Sequence, residues 1–425
     1  MTICTISTAA AAGGAKTLAR TADPVVVSGE KLKGFQGFSI HELRLYAYAD
    51  GDLKAVPFQV DERDAKGGLV FPLGPKGGRD ADVGLLDGND ELVFMAKDSG
   101  GRAPETKRPG GAGAAAEIEL ADPLTGGKAW VYLFHFRKPP APAAGDYASI
   151  TKDGGVVSTT NFTMTFSKEA PIGFDKLILK PAGGGNGKNG VDRLKVRADI
   201  TLRMVGVTIH KNENNFESEL VAFIDGPVRV VRRTSNKMFF FWKIASPATT
   251  VDNVFYFNSF EFPTEVTVPF DIGALASEFR FRVITDGNRN QKGKKFLNEK
   301  NLKPVTFDGV MSDEEKKLDT SPYKWSAAYG TAAGDTGAWI NRLEFEDDIE
   351  AVPRLYYMDD VKAELPPEKE PGQIGALGYD VVKMETVKKG VWRLTSSMYN
   401  TPEYSPGAEK EFLDIKDHPL EVKVR

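Results

Sequence analysis

A chain of 425 residues with 41% hydrophobic and 10% aromatic content has ample material for packed cores, and its length favours two or three domains. Its 55 basic and 59 acidic residues leave a formal net charge of -4, which offers no broad basic field to a phosphate backbone and excludes nucleic acid as an expected partner. No run of about 18 apolar residues occurs, so no transmembrane helix is expected. The single cysteine, Cys4, and four scattered histidines argue against a disulfide framework, a thiolate nucleophile or a zinc site.

The chain opens on an apolar, alanine-rich stretch, residues 1–12, extended by Gly13, Gly14 and Ala15. It carries the small residues a signal peptidase accepts but lacks a basic start. Residues 1–20 are therefore read as the leader of a periplasmic or secreted protein, with a disordered cytoplasmic N-terminus as the alternative. Short β-branched or aromatic runs follow at 24–27, 43–48, 56–60, 91–96 and 129–136, with turn chemistry such as Asp50-Gly51 between them. Pro139, Pro140 and Pro142, followed by Ala143, Ala144 and Gly145, make a stiff connection. This divides the chain into a first unit, 21–145, and a larger one, 146–425.

In the larger unit, 193–207 alternates apolar with polar residues, and 219–224 and 228–233 flank the turn Asp225-Gly226-Pro227. Phe279, Phe281 and Val283 alternate with Arg280 and Arg282, giving a strand with one greasy and one cationic face. The aromatic run 238–242, with Phe255, Tyr256, Phe257, Phe260 and Phe262 behind it, reads as two core strands, or else as a stacking platform or apolar ligand groove. One helix start is indicated, where Ser312 and Glu315 form a capping box ahead of Leu318. Pro366, Pro367 and Pro371 precede a final set of strands over 379–424. The expected fold class is all-β: two sandwich-like antiparallel domains with few short helices.

Asp80, Asp82, Asp87, Asn89, Asp90 and Glu91, interleaved with Gly84 and Gly88, form the densest acidic constellation. Calcium takes six to eight oxygens, which a glycine-bearing loop can fold round one point. However, Gly84 and Leu85 stand where an EF-hand needs a ligand and then a glycine. The alternatives are a structural calcium site and a solvated hairpin loop. Gln59, Asp61 and Glu62 end a strand where an amide and two carboxylates could meet a ligand, cap a turn or pair with Arg63. Trp325 and Trp339 have loop-like flanks and are candidate aromatic ligand contacts. The run 183–190 resembles a phosphate loop but lacks its first glycine and its Ser or Thr.

The segments 56–62, 90–96 and 226–230 and the pair Gly378-Tyr379 resemble those of uncharacterised, exported, β-rich bacterial proteins. The mix of strands, turns and acidic loops is also similar to carbohydrate-active sandwich proteins. The resemblance carries over no catalytic residue. Together these features favour an exported sandwich protein that binds a glycan, an envelope component or a protein partner. The alternative is a carbohydrate-active hydrolase or lyase with carboxylates in a sandwich cleft.

Overall fold

Alternating side chains need a second surface to bury their apolar face, and here antiparallel sheets supply it to one another. The computed structural model describes residues 14–241 and 244–425; residues 1–13, Cys4 among them, and the side chains of 240–245 lie outside the described set. Among the described residues the fold is all-β, with a single α-helix, Ala408–Asp417. Among these residues no helix is long and apolar enough to cross a membrane.

The N-terminal sandwich pairs a three-stranded sheet (Pro24–Ser28, Glu91–Met95, Gln59–Asp61) with a five-stranded one that includes Leu43–Ala49, Ala112–Ala121 and Lys128–Phe136. Leu45, Leu92, Phe94, Ile118, Val131 and Leu133 fill the space between them. Each such buried side chain stabilises the fold by roughly 1.5–3 kcal/mol. The opposite face of the small sheet is also covered, since Val93 and Met95 pack on Val228 and Tyr256 of the larger unit. A strand from the far end of the chain, Glu421–Val424, completes the five-stranded sheet by pairing with Ala112–Ala121. Its Val422 and Val424 join the same core. The stretch 146–425 thus contributes a strand to the N-terminal sheet, because local patterning does not reveal the pairing of Val422 with Leu120.

The larger unit sets a ten-stranded sheet against a five-stranded facing sheet whose central strands are Val191–Leu202, Ala276–Gly287 and Gln373–Val382. The expected hairpin forms, with Phe216–Asp225 paired to Val230–Phe241. In the facing sheet Phe279 and Phe281 pack into apolar clusters. Arg280 pairs with Asp380 and Arg282 with Asp199, so the greasy and cationic faces read from the sequence are the two faces of the strand. A four-stranded sheet, Ala148–Ile150 to Phe174–Leu179, closes the flank through Phe162, Phe166 and Phe174. The aromatic run 238–242 is described through Met238 and Phe239, and the remaining side chains lie outside the described residues.

Helix expectations need correction at two points. The Ser312–Glu315 capping box forms, with Glu315 N donating to Ser312 Oγ at 3.2 Å and Ser312 N to Glu315 Oε2 at 2.7 Å, but it opens only the single turn Glu315–Lys317. Tyr357 donates to the other oxygen of Glu315 and ties it into the core. The actual helix, Ala408–Asp417, lies in the stretch expected to be strands; it buries Phe412 against Tyr399.

Candidate functional site: an apolar cavity between two sheets

The two sheets of the larger unit do not close on each other. About 1150 Å³ of space lies between them. Leu194, Phe281 and Leu377 wall it on the facing sheet, and Phe262, Leu343 and Leu394 on the ten-stranded sheet. The space is concave and mostly apolar by area, as small-molecule sites are.

Charged groups also line the space, in pairs: Arg193 with Asp175 and Glu213, and Lys294 with Asp335. Asn253 lines the cavity and is 1% exposed, and neither end of its amide has a hydrogen-bond partner among the described residues. A buried amide without partners costs about 1–3 kcal/mol. Directly across the strand pair stands Arg232. Its Nε donates to Gly154 O at 2.8 Å and one terminal nitrogen to Pro171 O at 2.7 Å, and the guanidinium lies 3.7 Å over the Phe166 ring. Burial pulls it down to about 9, with no carboxylate opposing the shift. It is therefore a buried cation at neutral pH, and its neighbours Ala170 and Ile172 line the cavity.

The lining includes exposed residues of both characters, and the apolar ones lie together at one end, where Arg203 Nε donates to Gly273 O. Glu169, Asn186 and Lys188 are the polar ones; Met204, Val205, Phe270 and Leu275 are the apolar ones. Such a space accepts a long apolar body carrying one hydrogen-bonding or anionic group.

The residues expected to bind ligand lie elsewhere, with one exception. Trp339 belongs to the strand Ala338–Phe345, packs edge-on to Phe162 and Phe260, and contributes to the cavity wall. Trp325 precedes the strand Ser326–Tyr329 and is buried with Tyr399 and Phe412 rather than presented on a loop.

Gln59 and Asp61 converge on the junction between the two units, whereas Glu62 turns to the acidic loop. Gln59 Oε1 accepts from Val228 N (3.0 Å) and Arg229 N (2.8 Å), while its Nε2 donates to Asp61 Oδ1 at 2.7 Å. Arg229 then bridges Asp61 Oδ2 and Glu91 Oε2, each at 2.7 Å. Gly226 sits directly beneath the amide, where a Cβ would lie 2.3 Å from Gln59 Oε1. Three of the segments behind the resemblance thus form one buried joint. Glu62 accepts from Gly84 N.

In the acidic loop the carboxylates are spent on backbone donors. Asp87 Oδ1 accepts from Asn89 N (3.0 Å) and Asp90 N (3.2 Å), and Asp90 accepts from Arg63 N and Asp87 N, each at 2.9 Å. Asn89 Nδ2 donates to Asp64 O, Glu91 pairs with Arg63 and Arg229, and Asp80 Oδ1 accepts from Ala81 N. Asp82 lies in the exposed part of the loop, beside Asp80 and Asp87, its carboxyl raised by desolvation first and those neighbours second.

Three other carboxylates bring oxygens within 4.8 Å of one another: Asp192, Asp286 and Glu368, on the outer face of the facing sheet. A cation is already there. Lys195, fully buried, places Nζ 2.5 Å from Asp286 Oδ2 and 2.5 Å from Glu368 Oε2. Asp192 accepts from Lys369 N and Glu370 N, which clamps the loop carrying Glu368 over the cluster. The contact to Asp286 is close but lacks hydrogen-bond direction, so neither carboxylate oxygen is satisfied. Burial pushes Asp286 up to about 7, against the pull of Lys195.

No family model and no curated protein sequence matches the chain. Among solved structures it is similar to an alpha-mannosidase from Enterococcus faecalis V583, at 8% identity and a TM-score of 0.48 over 97% of this chain; it spans only 45% of that protein's length. It is also similar to an aldose 1-epimerase-like protein from Klebsiella pneumoniae subsp. pneumoniae MGH 78578, at 11% identity and a TM-score of 0.35, over 62% of this chain and 83% of that one. A third similarity is to HI1317, at 8% identity and a TM-score of 0.34, over 58% of this chain and 92% of that one. Two of these three are carbohydrate-active by name, and no residue of this chain takes a role from them.

Proposed function

We propose that this protein binds an amphiphile of lipid type. The hydrocarbon part occupies the space between the two sheets and the head group hydrogen-bonds to Asn253. Arg232 stands behind that amide, and its positive potential in a water-poor interior favours an anionic head. The observation that carries the reading is a space of about 1150 Å³ with a mostly apolar wall, in which the charged groups are paired while the buried Asn253 amide has no partner of its own among the described residues. Of the partner classes expected from the sequence, this is an envelope component, and a periplasmic or secreted location accords with it.

Native mass spectrometry with palmitate and 1-hexadecanol tests the reading. One-to-one adducts are expected, with the acid preferred by roughly tenfold or more, since a hydrogen bond to a charged group contributes about 1.5–3 kcal/mol. Asn253→Leu brings the two ligands close to parity while leaving chain binding in place. Absence of any adduct with either ligand would contradict the proposal.

A further inference from the structure

The apolar end of the cavity is shaped unlike an ordinary solvated rim. Met204 is 93% exposed, Val205 64% and Val207 57%, all on the tip of one hairpin between the strands Val191–Leu202 and Thr208–Lys211. Phe270 and Leu275, 45% and 55% exposed, stand on the adjoining loop, and Val391, 44%, lies on a third segment. Single exposed apolar residues need no explanation, whereas a cluster at the mouth of an apolar cavity marks an interaction surface.

The three segments are held together as one surface. Arg203 Nε donates to Gly273 O at 2.7 Å, which ties the hairpin to the loop. Ile272 N donates to Val387 O, and Lys389 N to Asp271 Oδ1 at 2.9 Å, which ties the loop to the segment 383–391. Their charge is opposite to that of the whole chain. Across 203–207, 269–275 and 383–391 stand four cations, Arg203, Lys383, Lys388 and Lys389, against two carboxylates, Asp271 and Glu385, in a chain of net charge -4. Glu385 is engaged with Phe279 N. Exposed apolar side chains ringed by lysine and arginine are the pattern that seats a protein in the interface of an anionic bilayer.

We infer that this end of the molecule docks on an anionic membrane surface, with Met204, Val205 and Phe270 entering the interface and the four cations facing the head groups. Docking here places the apolar mouth of the cavity against the hydrocarbon, so an amphiphile can pass between bilayer and cavity without crossing water. This inference rests on the cavity being a lipid site, and the two can fail separately.

Flotation of the full chain with liposomes provides the test. Vesicles of phosphatidylcholine with added phosphatidylglycerol are compared with pure phosphatidylcholine. The expected result is co-flotation with the anionic vesicles that weakens as salt rises from low to physiological levels. Val207→Asp and Val391→Asp lie outside the cavity lining; each should lower vesicle binding about tenfold while leaving palmitate binding unchanged. Lys388→Glu combined with Lys389→Glu should remove the preference for anionic vesicles. Wild-type protein that floats with neither vesicle overturns the docking, as does an aspartate variant that floats as well as wild type. Failure to float, together with a dimer by light scattering that Val207→Asp dissociates, would assign the surface to a second copy of this chain instead. Loss of palmitate binding with vesicle binding intact would remove the cavity reading and leave the docking.

Discussion

The two sandwiches are built from the same alternation of apolar and polar residues, yet their interiors differ. In the N-terminal one, Leu45, Phe94, Ile118 and Leu133 are almost wholly removed from solvent. In the larger one, Phe262, Leu343 and Leu394 are only partly buried and border the cavity. The comparison teaches that alternation specifies which face turns inward, while the separation of the sheets is set elsewhere. Here the ten-stranded sheet is wider than the sheet opposite it, and the flanking four-stranded sheet fills one edge with phenylalanines instead of the middle.

The contrast can be broken most forcefully at charges that hold elements in place. Lys195→Met leaves Asp286 and Glu368 without their cation, and removing one partner of a buried pair costs about 3–5 kcal/mol. Urea melts should show this as a large fall in midpoint. Next in size is the direct comparison of interiors. Leu133→Ala in the filled core should cost ~2–5 kcal/mol, and Leu343→Ala in the cavity wall ~1 kcal/mol or less, because its methyls already border open space and fewer contacts are lost. Equal losses by urea melts would mean that the two interiors are packed alike.

A smaller effect is expected from pH. Asp286 keeps its proton in the folded state up to about pH 7, against an ordinary carboxyl value of 3.8. Between those values the folded protein holds more protons than the unfolded chain, so this group's contribution makes stability fall as pH rises through the window. Denaturation midpoints at pH 4.5 and 7 should therefore converge in Asp286→Asn relative to wild type. Smallest of all is the effect of a chelator. The carboxylates of Asp87 and Asp90 are occupied by backbone N–H groups, so thermal midpoints with and without chelator should coincide; a lower midpoint with chelator would assign a bound cation to that loop.

Much of the architecture was legible because strands declare themselves locally. The alternation at 279–283 and the turn Asp225-Gly226-Pro227 both formed as their residue types require. Gly378, noticed only as part of a recurring pair, has a structural reason: a Cβ there would lie 2.0 Å from Val283 O of the next strand. The cavity was not legible. Its walls come from strands far apart in sequence, and Asn253, the polar residue that matters most in it, sits between Asp252 and Val254 with nothing local to mark it. Gln59 and Asp61 stood out correctly as unusual residues, but their partner, Arg229, is 170 and 168 residues away. Helix Ala408–Asp417 was missed although Phe412, Leu413 and Ile415 carry an apolar stripe, because Gly407 offers no side-chain cap to announce it.

If the space between the two sheets receives a lipid-like chain, a titration with a fluorescent fatty acid will show it. Wild-type protein should bind one equivalent saturably, and Ser396→Trp, which plants an indole in the wall from the middle of the ten-stranded sheet, should abolish binding while the protein stays folded by circular dichroism. Undiminished binding in that variant, or none in the wild type, would contradict the account.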